Sequence, residues 1–335
     1  MSERPPLAVR RFMLVAVGLP IAITALALVV QVLLLPTLPD PVATHWGIDG
    51  RANGFGPAWI MLAVGVVVGL GIPLLMGVFG LSGLRRGDRG ATYRLMGATA
   101  FAMSVLMAVI GTGALVIQSG LTDAAEAPGI AFVTLGAFVL AAAAGVIGWL
   151  LQPNEPFRAT TLSVGNPLAL SDTEKVVWLQ RVSLARPGVI VLGAAIALLV
   201  AIFVVNGLLG APGWSQLIIG GSALLVAALV STSLAFHVRV DDEGLRVTSV
   251  TGIPRVHIPL DEVARAEAVE VSPLGEFGGW GLRWAPGGGF GVVLRTGPGI
   301  RVIRTNGKVF TVTVDDAETG AALLGSLAAR TRAGA

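Results

Sequence analysis

Six runs of twenty or more apolar residues, separated by short polar stretches, fill the chain from Phe12 to Phe236; beyond that point long runs give way to alternation. The runs are Phe12 to Leu35, Trp59 to Gly80, Leu95 to Ile117, Ile130 to Leu151, Val189 to Leu209 and Trp214 to Phe236. An α-helix rises about 1.5 Å per residue, so roughly 20 residues cross a hydrocarbon core of about 30 Å. Each run is therefore predicted to be a transmembrane helix. None contains Asp, Glu, Lys, Arg or His, the residues that usually mark ion or proton movement inside a membrane. Gln31, Asn206 and scattered Ser and Thr are expected to hydrogen-bond between helices. Gly65 and Gly69 in "GVVVG", with Gly111, Gly145, Gly148 and Gly220, are expected to let helices approach within one bundle, dimerisation being the other use of the pattern. Pro20 and Pro73 each remove a backbone donor and should bend their helices.

After Phe236 the period changes to two. "FHVRV", "LRVTSV", "RVHIPL", "ARAEAVEV", "WGLRW", "FGVVLR", "GIRVIRT" and "KVFTVTV" read as short strands divided by turn signals. "DDEG" at 241–244 and "NG" at 306–307 are hairpin turns, the second of type I′ by its residue pair. The last strand leads into "DDAETGAALLGSLAAR", where Asp315 and Glu318 are placed to cap a helix whose Ala322, Leu323, Leu327 and Ala328 share an apolar face. The fold class is thus an α-helical membrane bundle followed by a β-rich domain of seven or eight antiparallel strands with one terminal helix. The expected organisation is residues 1–82 for two spans and the loop between them, 83–236 for four more spans, and 237–330 for the β domain.

Composition agrees with a membrane protein: 54% of residues are hydrophobic and 13% charged, and the mean hydropathy is +0.81. Alanine, glycine and valine are abundant and almost all basic residues are arginine, as in GC-rich bacterial genomes. Cysteine is absent, which removes disulfides and thiolate metal ligands from consideration. The sequence pI near 10.1 does not indicate nucleic-acid binding, because residues 237–335 balance 11 Lys and Arg against 11 Asp and Glu. The excess of positive charge lies among the spans, where it reports topology. Arg4, Arg10 and Arg11 precede the first span; Arg85, Arg86, Arg89 and Arg94 lie between the second and third; Arg158, Lys175, Arg181 and Arg186 lie between the fourth and fifth. The alternate loops contain a single basic residue, Arg51. Positively charged loops stay in the cytoplasm, so both termini are expected inside and the 36–57 loop outside. The first span is too long for a secretory signal and lacks a small-residue cleavage site after it, so it is expected to remain as an anchor.

The link before the fifth span, "SDTEKVVWLQRVSLARPG", begins at Ser171 with Glu174 three residues on, a capping-box spacing. Trp178, Val182 and Ala185 follow at helical intervals. An amphipathic helix over 171–186 lying on the inner leaflet is expected, the other reading being the first turns of a long fifth span, which Pro187 hampers.

The outer stretch, "LPDPVATHWGIDGRANGFGPAW", is dense in turn formers and predicts a compact loop lidding the bundle. His45 and Trp46 lie within a few residues of Asp40 and Asp49. Imidazole and carboxylate together can hold a metal or exchange protons, but the spacing alone establishes neither, and a structural histidine bonded to a carboxylate or a loop carbonyl is the plainer reading. No second histidine is near, and no metal or cofactor is expected. Trp46 and Trp59 suit an interfacial aromatic belt. Leu38, Pro39, Asp40, His45, Trp46 and Gly50 resemble the signature of the bacterial domain-of-unknown-function family 1648, although Ala43 stands where that family usually has proline two residues before the histidine. The same domain begins SdpI-type immunity proteins, membrane proteins that protect a cell from a secreted toxin and relay its presence inward. The resemblance implies an outward recognition loop, with Pro39, Asp40, His45, Trp46, Asp49 and Gly50 as its candidate residues; it identifies no ligand, and an external peptide or toxin is the candidate partner.

The β domain resembles bacterial pleckstrin-homology-like (PH-like) domains in element order, with "IPLDEV" and "GGWGLR" as supporting cues. Trp280, Arg283, Arg301 and Arg304, with Arg295, are its candidate contacts for inner-leaflet lipid phosphates or a cytoplasmic protein; solvated strand faces are the plainer reading of these arginines. Trp280 and Trp284, four apart on a strand, are expected on one face with Leu282, as core or as an interfacial pair. The expected function is non-enzymatic sensing, signalling or immunity at the bacterial inner membrane. A transporter or channel, and a membrane enzyme using His45, are the alternatives.

Overall fold

The computed structural model describes residues 5–155, 160–164, 176–208, 213–285 and 288–333. Its contacts divide the chain into two units, Met1–Phe157 and Arg158–Ala335.

The first unit holds four membrane-length helices: α1 (Leu7–Thr37), α2 (Trp59–Arg85), α3 (Ala91–Val116) and α4 (Ala131–Leu150). The two intramembrane prolines shape their helices in a specific way. A wide π turn, Leu14–Gly18, precedes Pro20, and another, Val67–Gly71, precedes Pro73. Pro73 has no N–H to offer the carbonyl four residues back, that of Gly69, and in hydrocarbon no water can replace it. Ser104 Oγ in α3 donates to that carbonyl at 2.6 Å. Gln31, 2% exposed, donates through Nε2 to Thr112 Oγ1 at 3.1 Å, the interhelical role its position suggested. Glycines set the helix separations: a Cβ at Gly80 would lie 2.2 Å from the Phe12 ring, and one at Gly148 would lie 3.2 Å from Ala98 Cα. In "GVVVG" only Gly69 makes such an approach, to Met107, while Gly65 faces open space.

The second unit contains a pair of membrane-length helices, α5 (Arg186–Leu208) and α6 (Gly213–Ser233), and a β module with a terminal helix. The strands are β3 (Thr160–Val164), β4 (Trp178–Ser183), β5 (Ala235–Asp241), β6 (Gly244–Ser249), β7 (Arg255–Ile258), β8 (Val263–Val271), β9 (Gly281–Trp284), β10 (Phe290–Val293), β11 (Gly297–Arg304) and β12 (Val309–Thr313). A one-turn helix α7 (Pro273–Glu276) follows β8, and α8 (Ala317–Ala333) closes the chain. One sheet has the order β3-β8-β11-β12-β10-β9 and the other β4-β5-β6-β7. Their inner faces share one apolar core: Val182, Phe236, Val238 and Leu245 come from the four-stranded sheet, Ala268, Ile300 and Val312 from the six-stranded sheet, and Leu324 and Leu327 from α8.

Several expectations change here. The sixth helix ends at Ser233, so Phe236 belongs to β5. The eight strands read from the tail are all present, but two more come from upstream of α5, so the β domain does not begin at residue 237. One pair, β10 with β12, is parallel. Of the expected amphipathic helix over 171–186, residues 171–175 fall outside the described residues, and Trp178–Ser183 is a strand. Its residues alternate between the core and the outside and pair with β5 from Trp178↔Val240 to Ser183↔Ala235. The membrane helices α5 and α6 are therefore the connection of a β-hairpin. The "NG" turn is a three-residue connection with Gly307 at φ 78° and no positive φ at Asn306; Gly307 N–H donates to the Arg304 carbonyl at 2.8 Å. That is a type I turn with a glycine bulge, in which only one left-handed residue is needed. Asp316, not Asp315, caps α8, accepting from Thr319 N–H.

Candidate functional site

The loop between α1 and α2 forms a small antiparallel hairpin, β1 (Val42–Trp46) with β2 (Ala52–Gly56). The alternation in "VATHW" is enough for one strand, and glycines at 54 and 56 let the second lie close: a Cβ at Gly54 would lie 2.8 Å from His45 Cβ. What fixes the hairpin on the bundle is Gln118, just past the end of α3 and 0% exposed. Its Oε1 accepts from Ala43 N–H at 2.6 Å, and its Nε2 donates to the Ala43 carbonyl at 3.0 Å. One side chain thus satisfies both polar groups of a buried strand residue, which would otherwise cost about 1–3 kcal/mol. Ala43 packs with Ala124 and Ala127 of the loop between α3 and α4, beside Trp46 and Leu121. Trp46 Nε1 donates to the Pro128 carbonyl at 3.0 Å.

Among the proposed recognition residues, Pro39 is buried and Trp46 is half-buried, so both are structural supports. Asp40, His45 and Asp49 are exposed. His45 Nδ1 is hydrogen-bonded to Asn53 Oδ1 at 2.5 Å across the hairpin, and Asp49 Oδ1 accepts from Arg51 N–H at 3.2 Å. Neither carboxylate partners the imidazole; the partner is an amide absent from the expected set. Gly50, at φ 78°, turns the chain at the tip. Sequence reasoning passed over Ile48, which is 111% exposed at that tip. An isoleucine flanked by Gly47 and Asp49 was the available signal. No three His, Asp or Glu side chains converge among the described residues.

The family described as a domain of unknown function (DUF1648) matches residues 22–70. The match runs from within α1, through the hairpin, into α2. No curated protein and no solved structure matches the chain. The DUF1648 match therefore covers the hairpin and the adjoining parts of the two helices that carry it.

The opposite end of the four-helix unit collects arginines. Arg89 Nε pairs with Glu155 at 2.5 Å, and Arg94 lies over the Trp149 ring at 4.2 Å. Gln152 Nε2 donates to the carbonyls of Arg94 at 3.0 Å and Gly148 at 2.8 Å. The cavity among them, about 20 Å³, has room for a single water.

In the β module, the arginines proposed to grip phosphates are engaged elsewhere. Arg301 pairs with Glu276, Arg304 with Glu262 and Arg295 with Asp315. The Arg301–Glu276 pair is half-buried, its side chains 13% and 14% exposed. Burial pushes the Glu276 carboxyl above its usual range, and the attraction and hydrogen bond of Arg301 offset this only in part. Arg283 donates through Nε to the Trp280 carbonyl at 2.9 Å. Trp280 and Trp284 do not share a role: Trp280 packs against the module's core, while Trp284 is 76% exposed and contacts Phe290. Gly281, at φ 105°, stands between them and breaks the alternation.

Proposed function

We propose that this is a non-enzymatic protein of the bacterial inner membrane, with both termini cytoplasmic, that recognises a peptide or toxin outside through its hairpin lid. The β module, resembling PH-like domains, engages a partner or the leaflet inside, as in sensing or immunity. The carrying observation is mechanical: buried Gln118 holds the hairpin from beneath by two hydrogen bonds, leaving Ile48, His45 and Asp49 exposed. An apolar tip with adjacent polar groups on a rigid ribbon presents a recognition surface at low ordering cost. The resemblance of the loop motif to that of SdpI-type proteins supports the same reading.

Two measurements test the reading. Protease added to intact spheroplasts should spare the β module; digestion would reverse the orientation. Cells lacking the native protein and complemented with His45→Ala/Ile48→Ser should lose the protective or signalling phenotype at unchanged membrane abundance. Full complementation by that variant would remove the lid from the function.

A further inference from the structure

The register of the four-stranded sheet places side chains of its outer face in rows. The pairs Arg181↔His237, His237↔Thr248 and Thr248↔Arg255 form one row across β4, β5, β6 and β7. The pairs Leu179↔Arg239, Arg239↔Arg246 and Arg246↔His257 form the next. The first row is the nearer to the membrane helices. It lies two residues from the Ser183↔Ala235 pair, about 7 Å at 3.3–3.4 Å per residue, and Leu184 N–H bonds the Leu234 carbonyl at 2.8 Å just before α5 begins. The headgroup layer on each side of a bilayer is about 5–7 Å thick.

The two rows differ in how their charges are met. In the distal row Arg239 pairs with Asp241 at 2.5 Å, Arg246 pairs with Glu243, and His257 Nε2 is hydrogen-bonded to the Glu243 carbonyl at 3.0 Å. In the proximal row Arg181, His237 and Arg255 are exposed, and none has an ion pair or side-chain hydrogen bond among the described residues. The β6–β7 turn lies at the same end. Ser249 Oγ donates to the Thr232 carbonyl of α6 at 2.6 Å, and the turn exposes Val250 and Ile253, the latter by 75%. An open recess of about 720 Å³ runs over this edge, lined by Arg246, Thr248, Gly252, Arg255, Val256 and His257.

We propose that this sheet face docks on the phosphates of acidic phospholipids in the leaflet that α5 and α6 enter, through Arg181 and Arg255, with Val250 and Ile253 dipping among the headgroups. Cationic side chains beside exposed apolar ones, at headgroup depth, are the chemistry of an anionic lipid surface. The chain's own connection to the helices keeps the face there. The proposal rests on the reading that α5 and α6 span a bilayer, whichever leaflet is cytoplasmic.

The absence of native cysteine allows a clean test. The full chain carrying Thr248→Cys is reconstituted in nanodiscs of phosphatidylcholine, or of phosphatidylcholine with one quarter phosphatidylglycerol, and labelled with a water-soluble maleimide. Phosphatidylglycerol should slow labelling at least fivefold. Each arginine near an anionic surface contributes about fivefold in lipid preference. Arg181→Gln/Arg255→Gln should abolish the slowing, and Arg181→Lys/Arg255→Lys should retain it, which separates charge from folding. Equal labelling in both lipids overturns the proposal. So does protection in phosphatidylcholine alone, which indicates a protein cover, or protection by inorganic phosphate, which indicates a soluble anion. A second label at Leu198→Cys reports the span: if it reacts with the aqueous reagent, the membrane reading of α5 fails, whereas protection there with equal labelling at 248 overturns the headgroup contact alone.

Discussion

The six membrane-length helices are held in two different ways. In the most apolar stretch of α3, 28% of residues are buried against other parts of the chain, whereas in α5 the figure is 6% and in α6 it is 0%. The first four helices meet through glycines and a few polar side chains. The last two are fixed at their feet, where β4 and β5 pair and feed the module's core through Val182 and Phe236. Apolarity alone gives no drive for helices to associate in lipid, so a bundle there needs close backbone approach, while a clamp in water can use the hydrophobic effect. Similar hydropathy thus conceals two sources of order.

Phe236→Ala gives the largest expected effect. Phe236 is 1% exposed at the clamp, and such truncations cost about 3–5 kcal/mol. The β module should unfold at lower denaturant, read by loss of β-sheet circular dichroism and by proteolysis of the tail. Next is Gly80→Leu, where a Cβ already meets the Phe12 ring; overpacking of this kind costs about 1–3 kcal/mol. The same change at Gly193 in α5, which has nothing within 4 Å, should leave thermal stability of the detergent-purified protein unmoved. A loss at Gly193 equal to that at Gly80 would erase the distinction between bundle and bare hairpin.

The smallest effect concerns Asp316. Its carboxyl is held below the usual range, chiefly by the hydrogen bond from Thr319, with Trp178 adding to it. A carboxyl whose folded pKa is depressed contributes stability above its unfolded value, near 3.9, and loses it as pH falls through the folded one. Asp316→Asn keeps one capping oxygen but removes the charge, so it should lower stability slightly at pH 7 and flatten this acid limb of the unfolding profile.

The six spans and the eight strands of the tail were legible because each repeats its period over enough residues to exclude the other. β4 was not. "WLQRVS" does alternate, but Trp178, Val182 and Ala185 also satisfy a helical spacing, and the partner that decides between them begins at Ala235, beyond two membrane helices. The lid's residues were legible as a group, and its chemistry was not: nothing local marks Asn53 as the partner of His45 or Gln118 as the brace. The ion pairs of the tail arginines were not legible, because each acid that neutralises Arg301 and Arg304 lies at least 25 residues away.

The placement of α5 and α6 inside a β-hairpin also orders biosynthesis. The ribosome releases β4 before either of these helices, so the strand must wait for both to be threaded through the bilayer before its neighbour exists. A chain stalled at that stage carries an unpaired strand edge, the kind that recruits other chains. A fragment beginning at His237 would carry the complementary defect, an open edge on β5 where β4 pairs in the full chain.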